Sequence, residues 1–188
     1  MDLSERLNQK RETTMQAGFL VSVTCIALLV FGVGANAFPT DTLSRNSGHR
    51  VNLSGPRFGA SYVKGELAGT LKDKLDVTPF LSQFGWQFET RFLSTPDGFA
   101  GLSEWIPLVA GVEQGVFLPS LSWLIGFRSG TGNEIGFGPN ISLGGVGLVL
   151  AGGVTARTAT LNFPFNVGVA LYKKGVSISL LVGFNAAD

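Results

Sequence analysis

The chain has 188 residues, enough for one domain with a sizeable core, and its formal net charge of +1 gives no reason to expect a nucleic-acid partner. Only 14% of the residues are charged, against roughly a quarter in average soluble domains. Glycine (26 residues) and phenylalanine (15 residues) are abundant, and the single cysteine excludes an intramolecular disulfide.

Residues 1–37 have the layout of an export signal. Lys10 and Arg11 precede an apolar run over 17–33, and Ala35-Asn36-Ala37 then supplies a small-x-small cleavage site. We expect cleavage after Ala37, which would also remove Cys25 and leave a mature chain without thiols. The alternative is an uncleaved membrane anchor, although the apolar run is at the short limit of the about 20 residues that a helix needs to span a bilayer.

Residues 38–56 are polar and show no periodicity, which predicts a flexible lead-in to a domain that occupies 57–188. The domain begins with a short alternating run, and residues 65–78 then interrupt the alternation. Within this first loop, Leu67, Leu71 and Leu75 recur four residues apart among charged side chains, the spacing of a short amphipathic helix. A solvated irregular loop is the alternative.

Apolar and small side chains alternate through most of the domain, in runs separated by turn residues. In one run, for example, Phe84, Trp86 and Phe88 alternate with Gly85 and Gln87. Strict period-two alternation predicts a strand with one apolar face. The predicted strands lie near 58–63, 80–92, 100–112, 117–128, 134–143, 146–157, 160–172 and 175–184.

Short connections favour antiparallel hairpins between consecutive strands, and closure removes the exposed sheet edges. The predicted fold is therefore all-β: an up-and-down antiparallel β-barrel of about eight strands, with a short helix in the first long loop. Pro107, Pro119, Pro139 and Pro164 fall inside predicted strands, where each removes a ladder donor. Bulges or shifted strand ends are expected at these positions.

Two kinds of barrel are compatible with this alternation. In a soluble ligand-binding barrel the aromatic face points inward, whereas in an outer-membrane barrel the aromatic face meets lipid. A soluble surface carries roughly 25–35% charged residues, but the less aromatic face of these runs is mostly Gly, Ser, Ala, Asn, Gln and Thr. The composition of that face favours lipid outside and a narrow interior inside.

With the aromatic face outward, the polar side chains of the opposite face point into the lumen. Glu89 and Arg91 lie two residues apart and could pair directly, and Arg128 and Glu134 could meet across one turn. We interpret these side chains as a buried network that plugs the barrel, because buried charges need partners, with a narrow pore or small binding cavity as the functional alternative. The candidate lumen network is Gln83, Gln87, Glu89, Arg91, Arg128, Glu134, Asn140, Arg157, Asn162 and Asn166.

The signal sequence, the alternating runs and the final strand together resemble the small eight-stranded outer-membrane β-barrel proteins of Gram-negative bacteria. The last run, 175–184, resembles the C-terminal signal that the barrel-assembly machinery recognises, but residues 185–188 follow its terminal aromatic Phe184. The resemblance implies residence in the outer membrane, with membrane lipid and the assembly machinery as partners, and implies no particular activity. A soluble periplasmic barrel that binds an apolar ligand or lipid is the alternative.

The sequence offers little for catalysis. The only histidine, His49, lies in the lead-in, so a Ser-His-acid triad has no base on the barrel and a histidine-rich zinc site is excluded. We therefore predict no catalytic residue, metal site or cofactor, and a structural or passive role that includes a narrow pore. A membrane-embedded lipid-modifying enzyme is disfavoured, and the charged first loop is the expected place for a protein partner.

Overall fold

The computed structural model describes residues 52–187, so the predicted export signal and residues 38–51 of the lead-in lie outside the described range. One α-helix, α1 (Glu66–Leu75), follows the first strand within this range, and a 3₁₀ turn (Val112–Gln114) joins the third and fourth strands. The strands are β1 (Gly55–Gly65), β2 (Phe80–Ser94), β3 (Ala100–Ala110), β4 (Leu118–Arg128), β5 (Asn133–Ser142), β6 (Gly145–Arg157), β7 (Leu161–Tyr172) and β8 (Gly175–Gly183).

The sheet closes into a barrel. Each strand pairs antiparallel with the next one in sequence, and β1 also pairs with β8, from Arg57 opposite Gly183 to Gly65 opposite Gly175. The predicted up-and-down barrel of eight antiparallel strands is thus confirmed. Because β1 begins and β8 ends at the same rim, we call that rim the terminal end, and we call the opposite rim, which carries α1, the helix end.

The prolines inside the strands are accommodated by local gaps in the ladders. Pro107 of β3 pairs with β4 and Pro139 of β5 pairs with β6, while the pairing of each with its other neighbour is interrupted there. Pro119 and Pro164 lie near strand ends and likewise pair on one side. Each missing N–H donor therefore faces a gap in the ladder. The one register shift between β2 and β3 lies near the terminal end of β2 and is not at a proline.

The residues that follow Phe184 lengthen the last strand. Asn185 pairs with Asn162 of β7 in the register that β8 already holds, after an interruption opposite Pro164. The tail beyond the terminal aromatic residue is therefore part of the sheet at the terminal end.

The short helix predicted in the first loop is confirmed and lies across the helix end. Leu71 is buried on its inner face, whereas Leu75 is 44% exposed because the helix stops there, with Asp76 in the left-handed conformation (φ 52°). The backbone N–H of Leu67 donates to the Lys174 carbonyl at 3.0 Å, which ties the start of α1 to the β7–β8 turn. Among residues 52–187 no helix is long and apolar enough to cross a membrane.

Candidate functional site

Most of the aromatic side chains of the barrel lie on its outer face, and Tyr172 on the inner face of β7 is an exception. Trp105 and Trp123 stack on neighbouring strands with 5.6 Å between ring centroids, and the Trp123 indole N–H donates to the Ser103 hydroxyl at 3.0 Å. This orientation is opposite to the inward aromatic face that a soluble ligand-binding barrel requires. The outward aromatic residues of β2 are between 45% and 63% exposed: Phe80, Phe84, Trp86, Phe88 and Phe92.

The interior changes in character from one end to the other. One apolar cluster lies beneath α1, and a second lies in the middle of the barrel. The buried charged side chains lie closer to the terminal end. The cluster beneath α1 comprises Val63, Leu71, Val77, Leu81 and Ala110. The middle cluster comprises Ile106, Leu108, Leu124 and Val149.

Arg128 is the centre of the charged region and is 2% exposed. Its Nη1 and Nη2 donate to the two carboxylate oxygens of Glu89 at 2.9 and 2.5 Å, a bidentate arrangement. Its Nε donates to Glu134 Oε2 at 2.8 Å, because register pairs the two residues across β4 and β5. A third carboxylate, that of Glu104, lies 3.9 Å from Nη2. One guanidinium therefore holds together charges from four strands.

A second chain of contacts joins β1 to this centre. Arg57 Nε donates to Gln87 Oε1 at 3.0 Å, and Gln87 Nε2 donates to Glu104 Oε1 at 2.6 Å. Arg91 Nε lies 3.6 Å from Glu89 Oε1, a longer ion pair. Three arginines and three glutamates thus lie at the terminal end, in a region where buried charges need such partners. We call Arg57, Gln87, Glu89, Arg91, Glu104, Arg128 and Glu134 the charge cluster.

Sequence reasoning missed Arg57 and Glu104. Arg57 was the first residue of the predicted domain and was not assigned to a face. Glu104 lies on β3, whose inner face also carries Leu102, Ile106 and Leu108, so alternation of apolar residues did not identify which face was inside. Buried charges need partners of opposite sign. The inner arginines therefore require inner carboxylates, and this requirement was the one signal that could have placed Glu104 inside the barrel.

The other predicted lumen residues lie outside the hydrogen-bonded charge cluster. Asn140 donates to the Ser122 hydroxyl at 2.9 Å and accepts from the Tyr172 hydroxyl at 2.6 Å, which forms a neutral network nearer the helix end. Asn162 is buried near the terminal end, whereas Arg157 ends β6 and is exposed. Gln83 and Asn166 line the inner wall, each with a buried side-chain oxygen that accepts no hydrogen bond from the described residues.

A small cavity lies in the middle of the lumen, where the middle apolar cluster, the Asn140 network and part of the charge cluster line it. Its volume is about 90 Å³, far below the roughly 300–1,000 Å³ of sites that hold a drug-sized or lipid-like ligand. Small residues of β5–β8 such as Gly136, Gly168, Ala170 and Ser179 line it, whereas Glu104 and Glu134 form its boundary toward the terminal end. The arrangement can compensate buried charge and hold a few water molecules.

No known protein family, curated protein or solved structure matches this chain.

Proposed function

We propose that this chain is an outer-membrane β-barrel protein with a structural, passive role and a closed lumen. The observation that carries the proposal is the inverted distribution of polarity in the barrel. Among the outward positions of β1–β8, Lys64 is the one charged residue, and it lies next to the end of β1 at the helix end. A soluble protein rarely exposes so extensive an apolar surface.

The dimensions of the strands support the same proposal. The strands contain between 9 and 15 residues, and a tilted strand needs about 9–11 residues to cross the hydrocarbon core. Five lysines, at 64, 72, 74, 173 and 174, lie at the helix end, outside the apolar band. Charge is therefore confined to the ends and to the interior, as a bilayer requires.

The contents of the lumen support a closed rather than a conducting barrel. The charge cluster fills the terminal end with mutually bonded side chains, and α1 with its apolar cluster covers the other end. Eight strands leave an interior just wide enough for side chains. The cavity between the two ends is too small for an apolar ligand, which disfavours the soluble lipid-binding alternative.

Fractionation of a Gram-negative host that expresses the full chain tests the membrane proposal. We expect the mature protein to remain in the envelope pellet through salt and carbonate washes, to require detergent for extraction, and to show heat-modifiable mobility in detergent gels. Recovery in a wash without detergent would contradict the membrane assignment.

Conductance across a planar bilayer tests the closed lumen separately. We expect the refolded protein to insert without producing unitary current steps. Reproducible steps of one amplitude would contradict the closed lumen and would leave the membrane assignment intact.

A further inference from the structure

The residues that immediately precede β1 form a compact turn at the terminal end. Asn52 Oδ1 accepts the backbone N–H of Ser54 at 2.8 Å, which makes an Asx turn with Leu53 at its centre. Leu53 is 1% exposed, although residues that precede a domain are usually solvated. These residues belong to the predicted lead-in, which shows no alternation, so the sequence pattern does not predict that Leu53 is buried.

Side chains and backbone from three places in the barrel hold this turn. The Leu53 N–H donates to Glu89 Oε2 at 3.3 Å, and Arg57 Nη2 donates to the Leu53 carbonyl at 2.7 Å. The Glu89 backbone N–H donates to the Ser54 hydroxyl at 2.8 Å, and Asn185 Nδ2 donates to the Ser54 carbonyl. The turn therefore lies directly against the charge cluster, at the rim where the last strand also ends.

We propose that Asn52–Ser54 is a releasable stopper that controls the access of water and small solutes to the lumen from the terminal end. In the closed state its buried leucine shields the charge cluster. When the turn leaves, the side chains of the charge cluster are the remaining barrier at this end, and water that passes between them reaches the small cavity that Glu104 and Glu134 border. The inference concerns the barrel itself and holds in detergent as well as in a membrane.

The contacts of the turn explain why it can leave without unfolding the barrel. After release, Glu89 keeps both hydrogen bonds from Arg128, and Arg57 keeps its bond to Gln87. Water can replace the hydrogen bonds that the turn loses, which limits their net contribution to closure, although the two that involve Glu89 and Arg57 are charge-assisted. Burial of Leu53 adds to these bonds and is the contribution that truncation of one side chain removes.

The helix end differs in this respect. Leu71 of α1 packs within an apolar cluster that includes Val77 and Leu81, and water cannot replace those contacts. Of the two ends, the terminal end is therefore the one that can open while the rest of the barrel keeps its structure.

The rate at which a thiol inside the lumen reacts with a small, charged methanethiosulfonate reagent tests the stopper. Ser179 on the inner face of β8 lines the cavity, so S179C is the reporter, in a chain whose Cys25 is replaced by serine. We expect slow labelling of the folded reporter protein in detergent micelles. Adding Leu53→Ala should raise the rate at least about tenfold, because the truncation removes most of the apolar burial that holds the turn.

Leu75→Ala is the matched control, since it makes the same truncation on a half-exposed leucine at the helix end. We expect it to leave the labelling rate within about twofold of the parent, as most exposed substitutions have small effects. Equal rates for the parent and Leu53→Ala would overturn the proposal. It would also be overturned if the parent reporter reacted as fast as a cysteine placed at Thr131, which is exposed in the β4–β5 turn.

Folding of each variant is checked by circular dichroism and by heat-modifiable mobility. If Leu53→Ala does not fold, Ser54→Ala tests the same point by removing the hydroxyl that accepts the Glu89 N–H. Faster labelling of S179C together with faster hydrogen exchange at the Glu89 amide would support the stopper. An unchanged labelling rate in a Ser54→Ala protein whose Glu89 amide exchanges faster would overturn it.

Discussion

At the scale of single residues, Arg128 has the largest influence on the interior because it compensates more than one buried carboxylate. We expect Arg128→Met to remove the guanidinium partner of Glu134, to leave Glu89 with only its longer contact to Arg91, and to lower the free energy of unfolding by about 3–5 kcal/mol. Urea unfolding in lipid vesicles measures the loss. Arg157→Met, at an exposed strand end, should cost less than about 0.5 kcal/mol, and losses of equal size in the two variants would contradict this role for Arg128.

Glu113 gives a pH-dependent contact at the helix end. Burial acts to raise the pKa of Glu113, but the hydrogen bonds that its carboxylate accepts from the Ser82 hydroxyl and backbone N–H outweigh burial and lower this pKa to about 2. Because the pKa of Glu113 is lower in the folded state, the contact contributes its full stabilisation at pH values above the ordinary carboxyl pKa. This stabilisation is lost as the pH falls toward 2.

The NMR shift of the Ser82 amide measures this titration. We expect a midpoint near pH 2 in the parent and no such midpoint in Glu113→Gln. A midpoint in the ordinary carboxyl range of about 4.3 would show that the contact to Ser82 does not form.

The sequence could not predict which interior side chains form ion pairs and hydrogen bonds with each other. Arg128 and Glu134 are neighbours across one turn, so their proximity follows from the hairpin. Arg128 and Glu89 are 39 residues apart and meet only because the barrel closes with a particular register. Local alternation carries information about faces, but it carries none about contacts across the lumen.

At the scale of secondary-structure elements, α1 covers the helix end through one buried side chain. Leu71→Ala should leave a cavity among Val63, Val77 and Leu81 and lower the free energy of unfolding by about 2–4 kcal/mol. Leu75→Ala, on the same helix, should cost less than about 0.5 kcal/mol because its side chain is half exposed. Denaturant titration with hydrogen exchange of the helix amides measures both effects, and similar losses would contradict the packing of α1 against the barrel.

The strands and the helix could be predicted where apolar residues recur with one regular spacing along the sequence. The strands and their faces follow from period-two alternation, and α1 follows from leucines spaced four residues apart. β3 was irregular because its inner face is apolar while Ser103 and Pro107 lie on its outer face. The first strand begins three residues before its predicted start at Phe58, since Gly55 and Pro56 pair with β2 although neither residue has a side chain that marks a face.

At the scale of the whole molecule, the barrel combines an apolar outer surface with an interior that holds buried polar and charged side chains beside two apolar clusters. Most of its inner charges lie in a mutually bonded cluster at one end, and a helix covers the other end. This distribution suits a bilayer outside and a filled lumen inside, and it would be costly for a protein surrounded by water. The membrane assignment is accordingly the claim on which the proposed function rests.

Quenching of tryptophan fluorescence by lipids brominated on their acyl chains tests that claim most directly. The three tryptophans of the chain, Trp86, Trp105 and Trp123, all face outward, so no inner tryptophan contributes to the signal. We predict that the folded protein in such vesicles loses most of its emission relative to vesicles of unbrominated lipid. Emission that is equal in the two kinds of vesicle, from protein that stays folded in solution without detergent, would contradict the outward, lipid-facing aromatic surface.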